Sequence, residues 1–312
     1  MARIVIALGG NALGNSAAEQ REMIRRAAPS LIGLIRQGHE IIVTHGNGPQ
    51  VGVIQLAFED AFEKGVLPAA MPLPECTAMS QGYIGYHLQK GLLEQLRREG
   101  MPWHVATVVT QMVVDPRDAA FQNPTKPIGA FYSREEMEAL RKENPQWVFQ
   151  EDSGRGFRRV VASPKPLDIV EKDSILNLLD HEFVVIACGG GGIPVVKKDE
   201  DDYEGVDGVI DKDLAAAKLA DLVEADRLFI LTAVDKVCLS YNTPQARELD
   251  EMTLKEAELY TSQGQFAAGS MLPKVEAAVS FVKGKPGRLA TIGSLEQAPL
   301  AMEGKAGTLI RE

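Results

Sequence analysis

The chain has 312 residues, 45% hydrophobic and 24% charged, enough to bury a sizeable core in one large α/β domain or two small ones. Its formal net charge of −10 argues against a nucleic-acid binder, which needs a basic face, and no apolar run reaches membrane-spanning length. The start, Met1-Ala2-Arg3, shows no signal-peptide pattern, and the three cysteines (Cys76, Cys188, Cys238) form neither a CxxC nor a Cys/His cluster, so a cytoplasmic protein without structural zinc is expected.

Taken in chain order, short apolar runs at 4–8, 40–44, 105–109, 183–188, 228–232 and 289–292 predict buried strands. Helical patterns at 18–37, 50–64, 79–98, 168–179, 212–222 and 270–283 lie between most of them. This alternation predicts an α/β fold with a parallel sheet covered on both faces. Residues from about 115 to 166 break the pattern, with six prolines and the basic run Arg155-Gly156-Phe157-Arg158-Arg159. They predict a loop-rich excursion or small inserted subdomain that reaches the active site; a long surface loop is the alternative.

Three predicted strands run directly into glycines. The first ends in Gly9-Gly10-Asn11, the second in Gly46-Asn47-Gly48, and the fourth in Gly189 to Gly192. Glycine after a parallel strand lets backbone N–H groups approach an anion, and a following helix adds its positive end. Any one loop reads equally well as a chain turn; three together predict a shared anion site. "GNGPQVG" has one residue too many for a dinucleotide fingerprint, and "GGGGIPVVKK" lacks the spacing of a phosphate-binding P-loop. His45 adjoins the second loop, as a ligand contact or as a packed or capping residue.

Phosphoryl transfer needs positive charge on the moving group and little covalent chemistry. Lys126 sits between two prolines in "NPTKPIG", Lys212 opens a predicted helix between Asp211 and Asp213, and Lys274 lies in "GSMLPK" at the start of another. Each alone reads as a rigid turn, a capped helix or a surface charge. No HExxH, GxSxG or EF-hand loop competes.

The segments "ALGGNAL", "VTHGNGPQVG", "SQGYIGY", "NPTKPIG", "EDSGRGFRRVVASPKP", "CGGGGIPV", "VIDKDLAAAKLA", "LTAVDKV" and "GSMLPK" resemble carbamate kinase, of the amino acid kinase family, in order and over nearly the whole chain. The resemblance implies a three-layer α/β/α sandwich around a largely parallel central sheet, a small protruding subdomain at about 115–166, and a homodimer. It divides a single 1–312 domain into an acceptor-binding half at about 1–205 and a nucleotide-binding half at about 206–312. The implied reaction is reversible phosphoryl transfer between ATP and carbamate, giving ADP and carbamoyl phosphate with Mg2+. It is commonly run toward ATP after arginine or ureido-compound breakdown. By motif, Gly9, Gly10 and Asn11 would bond the moving phosphoryl, while Gly46, Asn47, Gly48 and Gly189, Gly190, Gly191 would border the acceptor. Lys212 and Lys274 would neutralise phosphates, and Asp213 would orient them. Lys126 would replace the lysine that related kinases carry where this chain has Ala7. Asp235, Tyr241 and Met271 would line the nucleotide pocket. Two positions depart from the common pattern: Ala233 stands for an Asp and Leu272 for a Gly. They leave open a carbamate-kinase-like enzyme for a related small acid or carbamoyl compound, or a catalytically weak ligand sensor.

Overall fold

The computed structural model describes residues 1–9, 14, 16–152, 154–199, 202–294 and 296–312. Strand β1 (Arg3–Leu8) leads to helix α1 (Ala17–Arg36), then β2 (Glu40–His45), α2 (Gly48–Glu63), α3 (Leu73–Arg98), β3 (His104–Thr107) and β4 (Gln111–Val113). Next come β5 (Lys126–Tyr132), α4 (Arg134–Glu143), β6 (Val148–Glu151), β7 (Phe157–Val161), β8 (Asp168–Ile169), α5 (Lys172–Leu179), β9 (Phe183–Ile186), β10 (Ile193–Lys197) and β11 (Tyr203–Gly205). The chain continues through α6 (Lys212–Leu222), β12 (Arg227–Thr232), β13 (Val237–Leu239), β14 (Arg247–Leu249), β15 (Glu251–Thr253) and α7 (Leu254–Ser262). It closes with α8 (Met271–Gly284), β16 (Leu289–Ser294), α9 (Ala298–Met302) and β17 (Thr308–Arg311).

The central sheet runs β15-β17-β16-β12-β1-β2-β9-β3. Its pairs are parallel except β16–β17. The apolar strands are buried on both faces, and alternation sorts their side chains between two cores. Ile4, Ile6 and Leu8 pack with Ile24, Leu31, Ile32 and Ile35 of α1 and with Ile84 and Leu88 of α3. Val5 and Ala7 pack on the other side with Ala215, Ala216 and Leu219 of α6 and Val275 and Ala278 of α8. The result is the expected α/β/α sandwich. Burial of each such Leu or Ile is worth roughly 1.5–3 kcal/mol, and a one-residue slip of β1 would exchange its faces.

Helix starts follow local chemistry. Ser16 with Glu19 and Ser133 with Glu136 form capping boxes at α1 and α4. The proline-rich excursion contains an antiparallel sheet, β5-β7-β6, with α4 connecting two of its strands. Arg159 stacks on Trp147 there at 4.1 Å, and Arg155 lies over Phe131 at 4.5 Å. The helix expected at 168–179 is shorter: 168–169 pairs with β4 as a strand, and α5 begins at Lys172.

Candidate active site

The loops that sequence singled out follow the carboxyl ends of adjacent strands β1, β2 and β9. The chain passes from β1 to β2 on one side and returns through β12 on the other. This reversal of strand order is where open α/β sheets place ligands. Gly9 extends the ladder by donating its N–H to the Leu231 carbonyl at 3.1 Å, and Gly46 does so to Leu8 at 3.2 Å. Gly10 and Asn11 lie outside the described residues.

The second and third loops interlock. Asn47 is buried and donates from Nδ2 to Ser80 Oγ at 2.8 Å. Gly48 opens α2, with Pro49 in its first turn. At Gly190, φ is +67°, and a Cβ would fall 2.1 Å from the Asn47 amide. A Cβ on Gly189 would meet the His45 ring at 2.4 Å, and one on Gly191 the Ile210 carbonyl at 2.3 Å. Close packing between loops therefore requires these three glycines to lack side chains. Cys188 holds a left-handed φ of +52°. Its carbonyl accepts from Thr44 Oγ1 at 2.9 Å, and its N–H donates to Thr110 Oγ1 at 3.0 Å. Burial pushes its thiol pKa up, as fits a small packed residue rather than a nucleophile.

His45 is fully enclosed, with Nδ1 3.1 Å from the Gly46 carbonyl. A carbonyl only accepts, so Nδ1 carries the proton and Nε2 is left without a partner. Burial lowers its pKa to about 4, the Gly46 bond opposing, so the imidazole is neutral at pH 7.

The three lysines converge from segments far apart in sequence. Lys126, at the start of β5, bonds Asp211 Oδ2 at 2.6 Å. Lys212 bonds Asp213 Oδ1, and Lys274 reaches the other oxygen of the same carboxylate at 2.8 Å. Asp213 is 2% exposed. Three ammonium groups face two carboxylates, leaving one positive charge for an anion to neutralise. Burial raises the Asp211 pKa, but the charge and hydrogen bond of Lys126, helped by Lys212 and the Asp213 N–H, outweigh it and hold it at about 2. Burial lowers the Lys212 pKa, and Lys274 adds to this while Asp213 and Asp211 oppose it.

The folds around these groups explain their placement. Asp211 caps α6, accepting from the Asp213 N–H at 2.9 Å. The small Ala215 and Ala216 side chains pack that helix against β1. The subdomain's base meets the same turn, where the Val209 N–H donates to the Ala162 carbonyl at 2.9 Å. Ser270 gives α8 no side-chain cap. Asp211 was legible as a cap, but its bond to Lys126 was not, since 85 residues separate them.

The proposed nucleotide residues are less concentrated. Asp235 and Tyr241 are exposed after β12, and neither bonds the lysine cluster, while Met271 opens α8 and packs against the core. Ala233 is exposed. Leu272 turns into the hydrophobic cluster, so its bulk is absorbed there. Among the described residues no group of three or more His, Cys, Asp or Glu side chains is set to hold a metal ion, and no helix is long and apolar enough to cross a membrane.

Comparison with known proteins agrees with this fold. The chain is 52% identical over 312 residues to the carbamate kinase of Staphylococcus haemolyticus, covering 100% of both. It is 50% identical over 308 residues to the carbamate kinase-like protein YqeA of Escherichia coli, covering 99% of this chain and 98% of that one. The solved carbamate kinase of Giardia lamblia bound to AMP-PNP superposes with a TM-score of 0.90 at 44% identity, over 99% of this chain and 98% of that one. The sequence profile of the amino acid kinase family matches residues 2–290, and the chain belongs to that family.

Proposed function

We propose that this protein is a carbamate kinase, moving a phosphoryl group reversibly between ATP and carbamate. The observation that carries this reading is the convergence of Lys126, Lys212 and Lys274 on Asp211 and Asp213, beside the glycine loops. Full-length similarity to carbamate kinases supports the choice of acceptor. Carbamate oxygen is already anionic, so the reaction needs positioning and charge neutralisation rather than a general base.

In this reading Lys212 and Lys274 exchange their shared carboxylate for the nucleotide's phosphates, and Lys126 delivers charge from the acceptor side. The Gly9 turn and the loops at Gly46–Gly48 and Gly189–Gly191 confine the acceptor. Asp235, Tyr241 and Met271 border the nucleotide. Mg2+ enters as part of the nucleotide substrate; this ion is held largely by phosphates and water, with one or two carboxylates. Residues 1–205 form the acceptor half, 206–312 the nucleotide half and 115–166 the closing subdomain. A cytoplasmic homodimer completes the proposal, with sedimentation to check the assembly.

The test is coupled ATP formation from ADP and carbamoyl phosphate. Turnover is expected, with Lys274→Ala slower by about 10²–10³-fold, as for loss of one electrostatic donor. Tight ligand binding without turnover would instead identify a sensor. The departures at Ala233 and Leu272, with the similarity to a carbamate kinase-like protein, favour one second reading: a related small acid as acceptor. A forward acceptor panel in which a larger acid outperforms carbamate would establish it.

A further inference from the structure

Away from the lysine cluster, α1 and α3 approach so closely that a Cβ on Gly91 would lie 2.4 Å from the Ile24 side chain. Beside this crossing is a cavity of about 130 Å³. Arg21, Arg25, Lys90 and Arg98 line it against one carboxylate, Glu94, in a chain whose net charge is −10. Arg25 is held by Glu22 at 2.8 Å, and Lys90 stands 3.9 Å from Glu94. Arg21 and Arg98 have no carboxylate within 4.0 Å among the described residues.

His87 forms part of the wall and is 5% exposed. Its Nδ1 lies 2.9 Å from Gln20 Oε1, an acceptor, so Nδ1 donates there and the second ring nitrogen is left for another partner. Gln20 is fully buried, and its Nε2 has no partner. The Tyr83 and Tyr86 rings flank the imidazole at 5.1 and 5.3 Å.

We propose that this cavity binds a phosphate group, free or terminal on a small ester, gripped by Arg21 and Arg98 with His87 donating from Nε2. Guanidinium forks match phosphate oxygens bidentately, and two unpaired ones at the edge of a partly buried pocket bind without first breaking an ion pair. Burial lowers the His87 pKa, and Arg21 and Lys90 lower it further. Arg25, Arg98 and Glu94 are the other charges facing this space. A bound dianion reverses the sign of the local field, so binding draws a proton onto His87. A permanently dianionic probe should therefore bind more tightly at pH 6 than at pH 8.

The experiment follows the His87 ring by NMR, assigned through His87→Gln, during titration with sulfate, inorganic phosphate and glycerol phosphate. Saturable shifts are expected, with sulfate tighter at the lower pH. The Arg21→Ser/Arg98→Ser double variant should weaken binding by about 100-fold, near tenfold per charge-assisted bond, with melting temperature and turnover retained. Lys274→Ala should leave the titration midpoint unchanged. A lower midpoint for the ester identifies an ester ligand, and equal midpoints identify free phosphate. An unmoved His87 resonance, an unchanged midpoint in the double variant, or a midpoint lost in Lys274→Ala overturns the site.

Discussion

Asp211 and Asp213 stand two residues apart in one helical turn and hold different lysines. Asp213 is the common acceptor of Lys212 and Lys274, while Asp211 caps α6 and takes Lys126. Asn can keep the cap but not the charge, so Asp211→Asn should leave α6 capped while losing the ion pair with Lys126. Asp213→Asn removes the carboxylate between two ammonium groups, and kcat should fall about 10²-fold, clearly more than for Asp211→Asn. Equal losses in steady-state assays would remove the distinction. His45 yields a pH prediction. Its folded pKa of about 4 lies below the ordinary value of 6.5, so the unfolded chain binds the extra proton between these values. Stability is then complete above pH 6.5 and declines as pH falls toward 4, by on the order of 3 kcal/mol. Urea unfolding from pH 7 to pH 4.5 should show a shallower decline in His45→Gln; the same slope as wild type would contradict this. The lysines were legible because each sat in an unusual local setting. The family resemblance already assigned Asp213 to orient Lys212 and Lys274, whereas the Lys126–Asp211 bond was not legible, because it crosses 85 residues.

At the scale of elements, α2 meets the subdomain backbone to backbone. A Cβ on Gly52 would lie 2.1 Å from Gly129 Cα, and neither backbone can give way cheaply. Nearby, Glu59 of α2 stands 3.7 Å from Arg159, which is itself stacked on Trp147. This seam fixes the sheet that carries Lys126. Gly52→Ala should separate the two elements and displace that lysine, lowering kcat by about 10²-fold, the scale of a 1 Å misplacement, with little change in nucleotide KM. A normal kcat would show that the seam does not position Lys126. The six apolar strands and most helices were legible because burial on two faces leaves continuous apolar runs and a 3.6-residue period survives on amphipathic helices. The β5-β7-β6 sheet was not. β5 carries Pro127 and Gly129, β6 and β7 are short, and only Ile128, Val160 and Val161 of the three strands are buried, with Arg159 stacked on Trp147 beside them.

Across the whole molecule, the last strand lies inside the sheet rather than at its rim. β17 pairs with β16 on one side and β15 on the other, and Thr308 Oγ1 bonds both the Leu249 carbonyl and the Val237 N–H. Deleting residues 308–312 would open two strand edges and expose the buried Ile310. A fall in melting temperature of more than about 5 °C, or insoluble expression, is expected; an unchanged melting curve would refute that role. Sequence did not disclose this strand, because four residues carry too little pattern and its antiparallel pairing departs from the rest of the sheet. The lysine cluster has a corresponding effect on the proposed reaction. Its cations rest on internal anions, so a phosphoryl group arrives by swapping partners, and the carboxylates are at hand to reclaim them when it leaves. A site that neither clutches its cargo nor stands starved without it is suited to traffic in both directions.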